Sequence, residues 1–239
     1  MPGGVYAALS GMKARLDDLD RLASDLANVG TSGYKTERTA TSAAERPSFR
    51  AVLDSAVDAT SGSTRVDLRP GTIGSTGRDL DVAIEGRGFF VLSTPGGERY
   101  TRNGSLSRRP DGVLTGADGS PVMGTTGEIR VGRGSISVTD DGSIRVGDTT
   151  AGRLRVVDFP RDADVMRESG VRFKAIPGAT PQASTSRIVG GSLEQANVSM
   201  VDRMVSLTEV ARSFEALQRG VSVLMNDIDG RAINELGRR

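Results

Sequence analysis

The sequence predicts an α+β protein: N- and C-terminal helices paired as an antiparallel coiled-coil-like domain, with a central antiparallel β domain of short hairpins. Three observations predict it. Apolar residues recur at helical spacing at both ends, turn dipeptides crowd the middle, and bulky side chains are scarce. Of 239 residues, 36% are hydrophobic but only 4% aromatic; tryptophan is absent and glycine reaches 31. A single thick core is hard to build from such residues, whereas a glycine-punctuated β architecture with thin cores is not.

The N-terminal element follows from its apolar steps. Val5, Leu9, Met12, Leu16, Leu19, Ala23 and Leu26 are separated by alternating fours and threes, a seam that packs helix on helix. Lys13, Arg15, Asp17, Asp18, Asp20, Arg21 and Asp25 fall between them and suit an exposed flank. Asn28, Gly30 and Gly33 then stop the helix, because Asn and Gly tolerate the left-handed conformation of a helix end.

The C-terminal element repeats the pattern over a longer span. Leu207, Phe214, Val221 and Ile228 are spaced by sevens. Met204, Ala211 and Met225 flank that row on one side, and Val210, Leu217 and Leu224 on the other, so the apolar face is wider than a two-stranded seam. Ser199 with Asp202 three residues on forms a capping start. A helix from about 200 to 235 is roughly 54 Å long at 1.5 Å per residue.

Between the helices the period changes to that of strands. Leu80–Ile84, Gly88–Leu92, Ser135–Val138 and Arg153–Val157 read as short strands. Gly96-Gly97, Asn103-Gly104, Asp111-Gly112, Asp118-Gly119 and Asp141-Gly142 supply the turns. The reading divides the chain into a terminal helical domain of residues 1–35 plus 197–239, an extended connector at 36–71, and a β domain at 72–196. Phe49–Val57 is the most helix-like stretch of the connector.

Composition excludes several function classes. The formal charge is +1, from 31 basic and 30 acidic residues, which gives no electrostatic case for nucleic acid or an anionic membrane. Histidine and cysteine are both absent, so the usual zinc sites, cysteine nucleophiles and histidine-based triads cannot be built. No stretch approaches the roughly 20 apolar residues of a membrane span. The first residues lack the basic and apolar regions of a cleavable secretory signal. No cofactor, metal, catalytic residue or small-molecule substrate is expected.

Two helices alone cannot cover an apolar face as wide as the C-terminal one, and an uncovered stripe marks an interaction surface. Pattern leaves three readings open: an intramolecular helical hairpin lying on the β domain, self-association through coiled-coil packing, or a partner's helix.

Four segments carry a resemblance. Ser24–Lys35, reading SDLANVGTSGYK, is similar to the end of the first helix in the flagellar rod and hook family. Asp79–Val91 (DLDVAIEGRGFFV) resembles that family's central block, and Tyr100-Thr101-Arg102-Asn103-Gly104 its aromatic-Thr-Arg-polar-Gly turn, with Asp111-Gly112-Val113-Leu114 after it. Gly191–Val198 (GSLEQANV) resembles the lead-in to the last helix, with Ala196 where serine is usual. The compact size favours a rod over a hook subunit. Arg212–Glu215 and Gly230–Asn234 resemble the proximal branch of the rod.

The resemblance implies a structural subunit without enzymatic activity, exported unfolded by the flagellar type III apparatus and assembled helically in the periplasmic basal body. Its partners are other rod subunits and copies of itself. The paired helices form the inner tube and the β domain the outer layer. Val5, Leu9, Met12, Leu16, Leu19, Leu26, Met204, Leu207, Phe214, Leu217, Val221, Leu224 and Ile228 become subunit-interface residues. Asn28, Gly33 and Tyr34 become a structural joint, beside the plainer reading of a satisfied helix stop.

Other features admit blander readings. Gly86-Arg87-Gly88 lacks the third glycine and following helix of a dinucleotide fingerprint and reads as a tight turn. Asp140-Asp141-Gly142 lacks the spaced oxygens of a calcium loop and reads as a hairpin turn. Arg108 and Arg109 beside Pro110 form a solvated turn or a neighbour contact. Three alternatives stand beside a proximal rod subunit: a distal rod or hook subunit, a carboxylate-based cell-wall hydrolase using Asp81 and Glu85, and a soluble monomeric binding module.

Overall fold

The computed structural model describes residues 2–39 and 64–236. Phe49–Val57 and most of the expected connector lie outside them, as do the side chains of Val5, Leu224 and Ile228. Among the described residues the protein is mostly β with two long helices, and the chain divides into two compact units. One contains the helices, α1 (Pro2–Ala27) and α2 (Met200–Leu236). The other comprises residues 28–38 and 65–198. The segment 28–35, grouped with the helices by sequence, folds with the strands.

In the helical unit, Pro2 opens α1, where its fixed φ is already helical and its missing N–H has no partner to lose. The amide of Asp202 donates to Ser199 Oγ (3.4 Å), and that of Arg203 to the Ser199 carbonyl (3.0 Å), which starts α2 at the residue expected. Asp202 in the first turn also offsets the positive end of the helix dipole. The two helices touch within this unit: Arg203 Nε lies 3.2 Å from an Asp25 carboxylate oxygen. A Cβ built on Gly11 would sit 3.8 Å from Leu217 Cδ1.

The β unit is organised around one antiparallel six-stranded sheet. Its order is Val165–Ser169, Arg172–Ala175, Gly97–Thr101, Phe89–Thr94, Val156–Asp158, Gln182–Ala183. The Phe89–Thr94 and Gly97–Thr101 strands form a hairpin in which Thr94 pairs with Gly97, whose φ of +97° only glycine adopts without strain. Alternate residues of the central strand enter opposite cores. Phe90 and Leu92 pack with Val82, Ile84, Leu106 and Leu114, while Phe89 and Val91 pack with Tyr100, Phe159 and Phe173. A strand buried on both faces needs an unbroken apolar run, and Phe-Phe-Val-Leu is one. The second core is tied by edge-to-face rings, with centroids 5.6 Å apart for Phe89–Phe173 and 5.0 Å for Tyr100–Phe159. Two thin cores thus replace one thick one.

Three Asp-Gly turns share one construction. Asp111, Asp118 and Asp141 accept through Oδ1 from the amides of Val113 (3.1 Å), Ser120 (3.0 Å) and Ser143 (3.2 Å), with a positive-φ glycine between. Asn103-Gly104 differs from its expected role. It is not the tip of a hairpin but a buried crossing, in which the Val82 amide donates to the Gly104 carbonyl at 3.0 Å. A Cβ on Gly104 would overlap the Val82 carbonyl, so glycine is required there for close approach. The Arg153–Val157 strand also divides, into Thr149–Arg153 and Val156–Asp158.

The two chain ends of this unit meet. Ser192–Glu194 pairs with Ile73–Ser75, and Arg187–Gly190 with Val82–Glu85, both antiparallel. That pairing brings the last strand beside the segment that follows α1.

Candidate assembly site

At this meeting point three charged side chains are withdrawn from water. Lys35, Arg102 and Glu194 are each at most 2% exposed. Lys35 Nζ donates to Glu194 Oε1 at 2.5 Å and to the Arg69 carbonyl at 2.8 Å. The Gly71 amide donates to the same carboxylate oxygen at 2.8 Å. Arg102 Nη1 reaches the other oxygen at 3.1 Å, while Nη2 donates to the Gly86 carbonyl at 2.7 Å. The guanidinium also lies 5.6 Å from the Phe89 ring centroid.

The surrounding backbone is stitched as closely. The Gly33 amide donates to the Glu194 carbonyl (2.7 Å) and that of Asn197 to the Tyr34 carbonyl (3.2 Å). Asn197 Oδ1 accepts from the Thr36 amide, and its Nδ2 donates to the carbonyls of Asp67 and Arg69. Gly33 has φ +71°, and a Cβ there would overlap the backbone of Arg102 and Asn103. Arg167 closes the outer side, with its guanidinium carbon 4.5 Å from the Tyr34 ring centroid and its Nε on Glu37 at 2.7 Å.

One carboxylate serves two cations. Burial pushes the Lys35 ammonium below its ordinary pKa, against the opposing pull of Glu194, and burial likewise lowers Arg102. The pairing is what makes burial tolerable, because an isolated ion taken out of water costs several kcal/mol. Lys35 and Arg102 both donate to Glu194 and also to the backbone carbonyls of Arg69 and Gly86, while Arg102 Nε is buried without a hydrogen-bond partner.

The helices present the opposite situation. Leu9 (50% exposed) and Leu16 (47%) on α1, and Met204 (49%) on α2, stand in water. So do Val201 (69%) and Val205 (54%), which the helical spacing did not single out. Met12, Leu19, Leu26, Leu207, Phe214, Leu217 and Val221 are half-buried. Of the joint residues, Gly33 and Tyr34 are buried in the β unit, and the Asn28 carbonyl accepts from the Thr31 amide at 2.9 Å.

The remaining candidate residues have local structural work. Asp81 is buried and accepts from Thr76 Oγ1 at 2.8 Å, whereas Glu85 is exposed beside Arg187. Gly86 and Gly88 both take positive φ, and the Arg87 carbonyl between them accepts from Ser184 and Ser186. Arg108 donates to the Gly132 carbonyl and Arg109 pairs with Asp111.

Sequence reasoning missed the ionic cluster. Its members lie far apart in the chain and no periodicity links them; the available signal was that each sits inside one of the four recognised segments. Ser24–Lys35 supplies Lys35, Asp79–Val91 supplies the Gly86 carbonyl and Phe89, Tyr100–Gly104 supplies Arg102, and Gly191–Val198 supplies Glu194.

Comparison with known proteins points the same way. Residues 83–146 match the model of the flagellar hook protein FlgE/F/G D1 domain, and residues 189–234 that of the flagellar basal body rod FlgEFG protein C-terminal region. The flagellar basal-body rod protein FlgF of Salmonella typhimurium is 33% identical over 248 residues, with 97% of each chain covered. FlgF of Caulobacter vibrioides is 30% identical with 92% of each chain covered, and FlgG of Bacillus subtilis 29% identical with 89% of this chain and 91% of its own covered. With its recognised segments gathered on one buried cluster and most of its length matched, the chain belongs to the flagellar basal-body rod protein family, and among these relatives it is more similar to the FlgF chains.

Proposed function

We propose that this protein is a structural, non-catalytic subunit of the bacterial flagellar basal-body rod, of the proximal type. It is exported unfolded by the flagellar type III apparatus and assembles helically in the periplasm with other rod subunits and copies of itself. The single observation that carries this reading is the set of exposed apolar side chains, Leu9 and Leu16 on α1 and Met204 and Val205 on α2, on two helices already in contact. Apolar side chains left in water on long helices gain free energy when neighbouring subunits cover them.

The inner part of the subunit is α1 and α2 packed antiparallel. Two contacts support that direction: Asp25 near the end of α1 meets Arg203 at the start of α2, and Gly11 faces Leu217 further along. The outer part is the β domain, and Asn28, Gly33 and Tyr34 form the joint between them. Open helical growth needs one patch to meet a different patch on the next subunit, and two unlike helix faces supply such a pair.

Deleting residues 1–30 from the chromosomal copy tests the reading. Rods stalled early and loss of swimming are expected; normal basal bodies and normal swimming would overturn it.

A further inference from the structure

We infer that the Lys35–Glu194–Arg102 cluster is a clasp that closes last: residues 28–38 dock into the β unit only once residues 192–197 are in place. The inference concerns the isolated chain and stands whether or not that chain polymerises.

The argument begins with charge. Lys35 and Arg102 approach one buried site, and among the described residues the carboxylate bonded to both is Glu194. Until Glu194 arrives, burying Lys35 would bring two cations together with no carboxylate bonded to either, Asp67 and Asp158 acting on them only through space, so the segment carrying Lys35 is held out. An apolar plug at the same place would carry no such bar, because apolar surface buries itself against whatever apolar surface is present. The cluster therefore makes early closure unfavourable and complete closure tight.

Topology places the deciding residue late. Glu194 lies 159 residues beyond Lys35, on the strand that pairs with Ile73–Ser75. Three of the hydrogen bonds that hold segment 28–38 run to the same stretch, Gly33 to the Glu194 carbonyl, Thr36 to Asn197 Oδ1, and the Tyr34 carbonyl to the Asn197 amide, beside others to Asp67, Arg69 and Arg167. The hairpin Phe89–Thr94 with Gly97–Thr101 needs none of these residues and can form before them. A chain whose residues 192–197 have not folded leaves the segment after α1 undocked, so closure of the clasp reports that the β unit is complete.

The sequence provides its own reporter. Lysine occurs only at positions 13, 35 and 174, and Lys13 is exposed while Lys35 is fully buried. Amine acetylation of the full chain, read by mass spectrometry, therefore compares Lys35 with an internal standard. In the unaltered protein Lys35 should react at least about 100-fold more slowly than Lys13. In E194Q that protection should fall to within about tenfold, while amide exchange across Phe89–Thr94 stays slow. During refolding of the full chain, Lys35 should become protected after the Phe89–Thr94 amides.

Retained Lys35 protection in E194Q would overturn the clasp. So would loss of Phe89–Thr94 protection together with it, because the cluster would then be part of one indivisible core. Lys35 protection that precedes or coincides with the hairpin in refolding would do the same. K35M supplies a second variant: the remaining Arg102–Glu194 pair is balanced, so the Gly33 amide should stay protected to within about tenfold. Complete loss of that protection would show that docking depends on the ammonium itself and not on charge balance.

Discussion

Lys35 and Glu194 stand 159 residues apart in the chain and 2.5 Å apart in space, both withdrawn from solvent. Their pairing closes the β unit by joining the segment after α1 to the strand before α2. Arg102 completes the arrangement by neutralising the second carboxylate oxygen.

Removing Arg102 should be expensive in stability. R102M leaves the carboxylate to Lys35 and the Gly71 amide and frees the Gly86 carbonyl, which accepts from Arg102 at 2.7 Å. The Lys35–Glu194 pair that remains is balanced, so the loss is that of a buried acceptor left without its partner, typically about 1–3 kcal/mol. Urea unfolding followed by circular dichroism should show that loss as a lower midpoint. A midpoint within the error of the unaltered chain would mean the guanidinium contributes nothing net.

Glycines in the same segment should separate cleanly. Gly33 has φ +71° and no room for a Cβ, whereas a Cβ added at Gly30 would meet nothing within 4 Å. G33A should therefore cost more than about 2 kcal/mol, from left-handed strain plus displaced backbone. G30A should stay within about 0.5 kcal/mol of the original. Thermal unfolding of the two variants side by side measures the difference, and equal melting temperatures would contradict it.

These two glycines also show what sequence can and cannot disclose. Both read as helix-stop residues, since a stop asks only for a residue free of a Cβ penalty. The packing of Gly33 on Arg102 and Asn103 depends on a segment far along the chain, which local pattern does not encode. The helices and the Phe89–Leu92 strand were legible because burial on a regular element leaves a period of 3.6 or an unbroken run. Asn103-Gly104 misled for the converse reason: a dipeptide that suits a hairpin tip also suits a buried crossing. The ion cluster left no period at all, only charged residues inside otherwise recognisable segments.

Asp141 predicts a pH effect. Its carboxylate accepts first from Thr139 Oγ1 (2.5 Å), then from the hydroxyl and amide of Ser143, and these bonds hold its pKa at about 2. A carboxylate depressed by folding stabilises the folded state above its unfolded pKa, and that contribution is lost as pH falls towards the folded value. The hairpin at 138–143 should thus loosen between about pH 4 and about pH 2. Carboxyl-carbon NMR titration should give Asp141 a midpoint near 2, and T139V should raise it. A midpoint at the ordinary carboxylate value in the unaltered chain would sink this account.

The exposed helix stripe makes the sharpest separation between folding and assembly. Leu9 and Leu16 are about half exposed, whereas Leu22 on the same helix is 3% exposed. Replacing a half-exposed leucine removes only part of the area that a core leucine buries, so L9D combined with L16D should lower the monomer's stability by about 1–2 kcal/mol. L22D places a charge at a buried position and should destabilise the protein by several kcal/mol. If the stripe is an intersubunit surface, the double variant should fold normally yet abolish swimming, because each new carboxylate would be desolvated at every repeat of the assembly. Soft-agar motility and isolation of basal bodies, read beside the melting curve of the purified variant, check both halves. A double variant that swims normally would show that Leu9 and Leu16 face water in the assembled state as well.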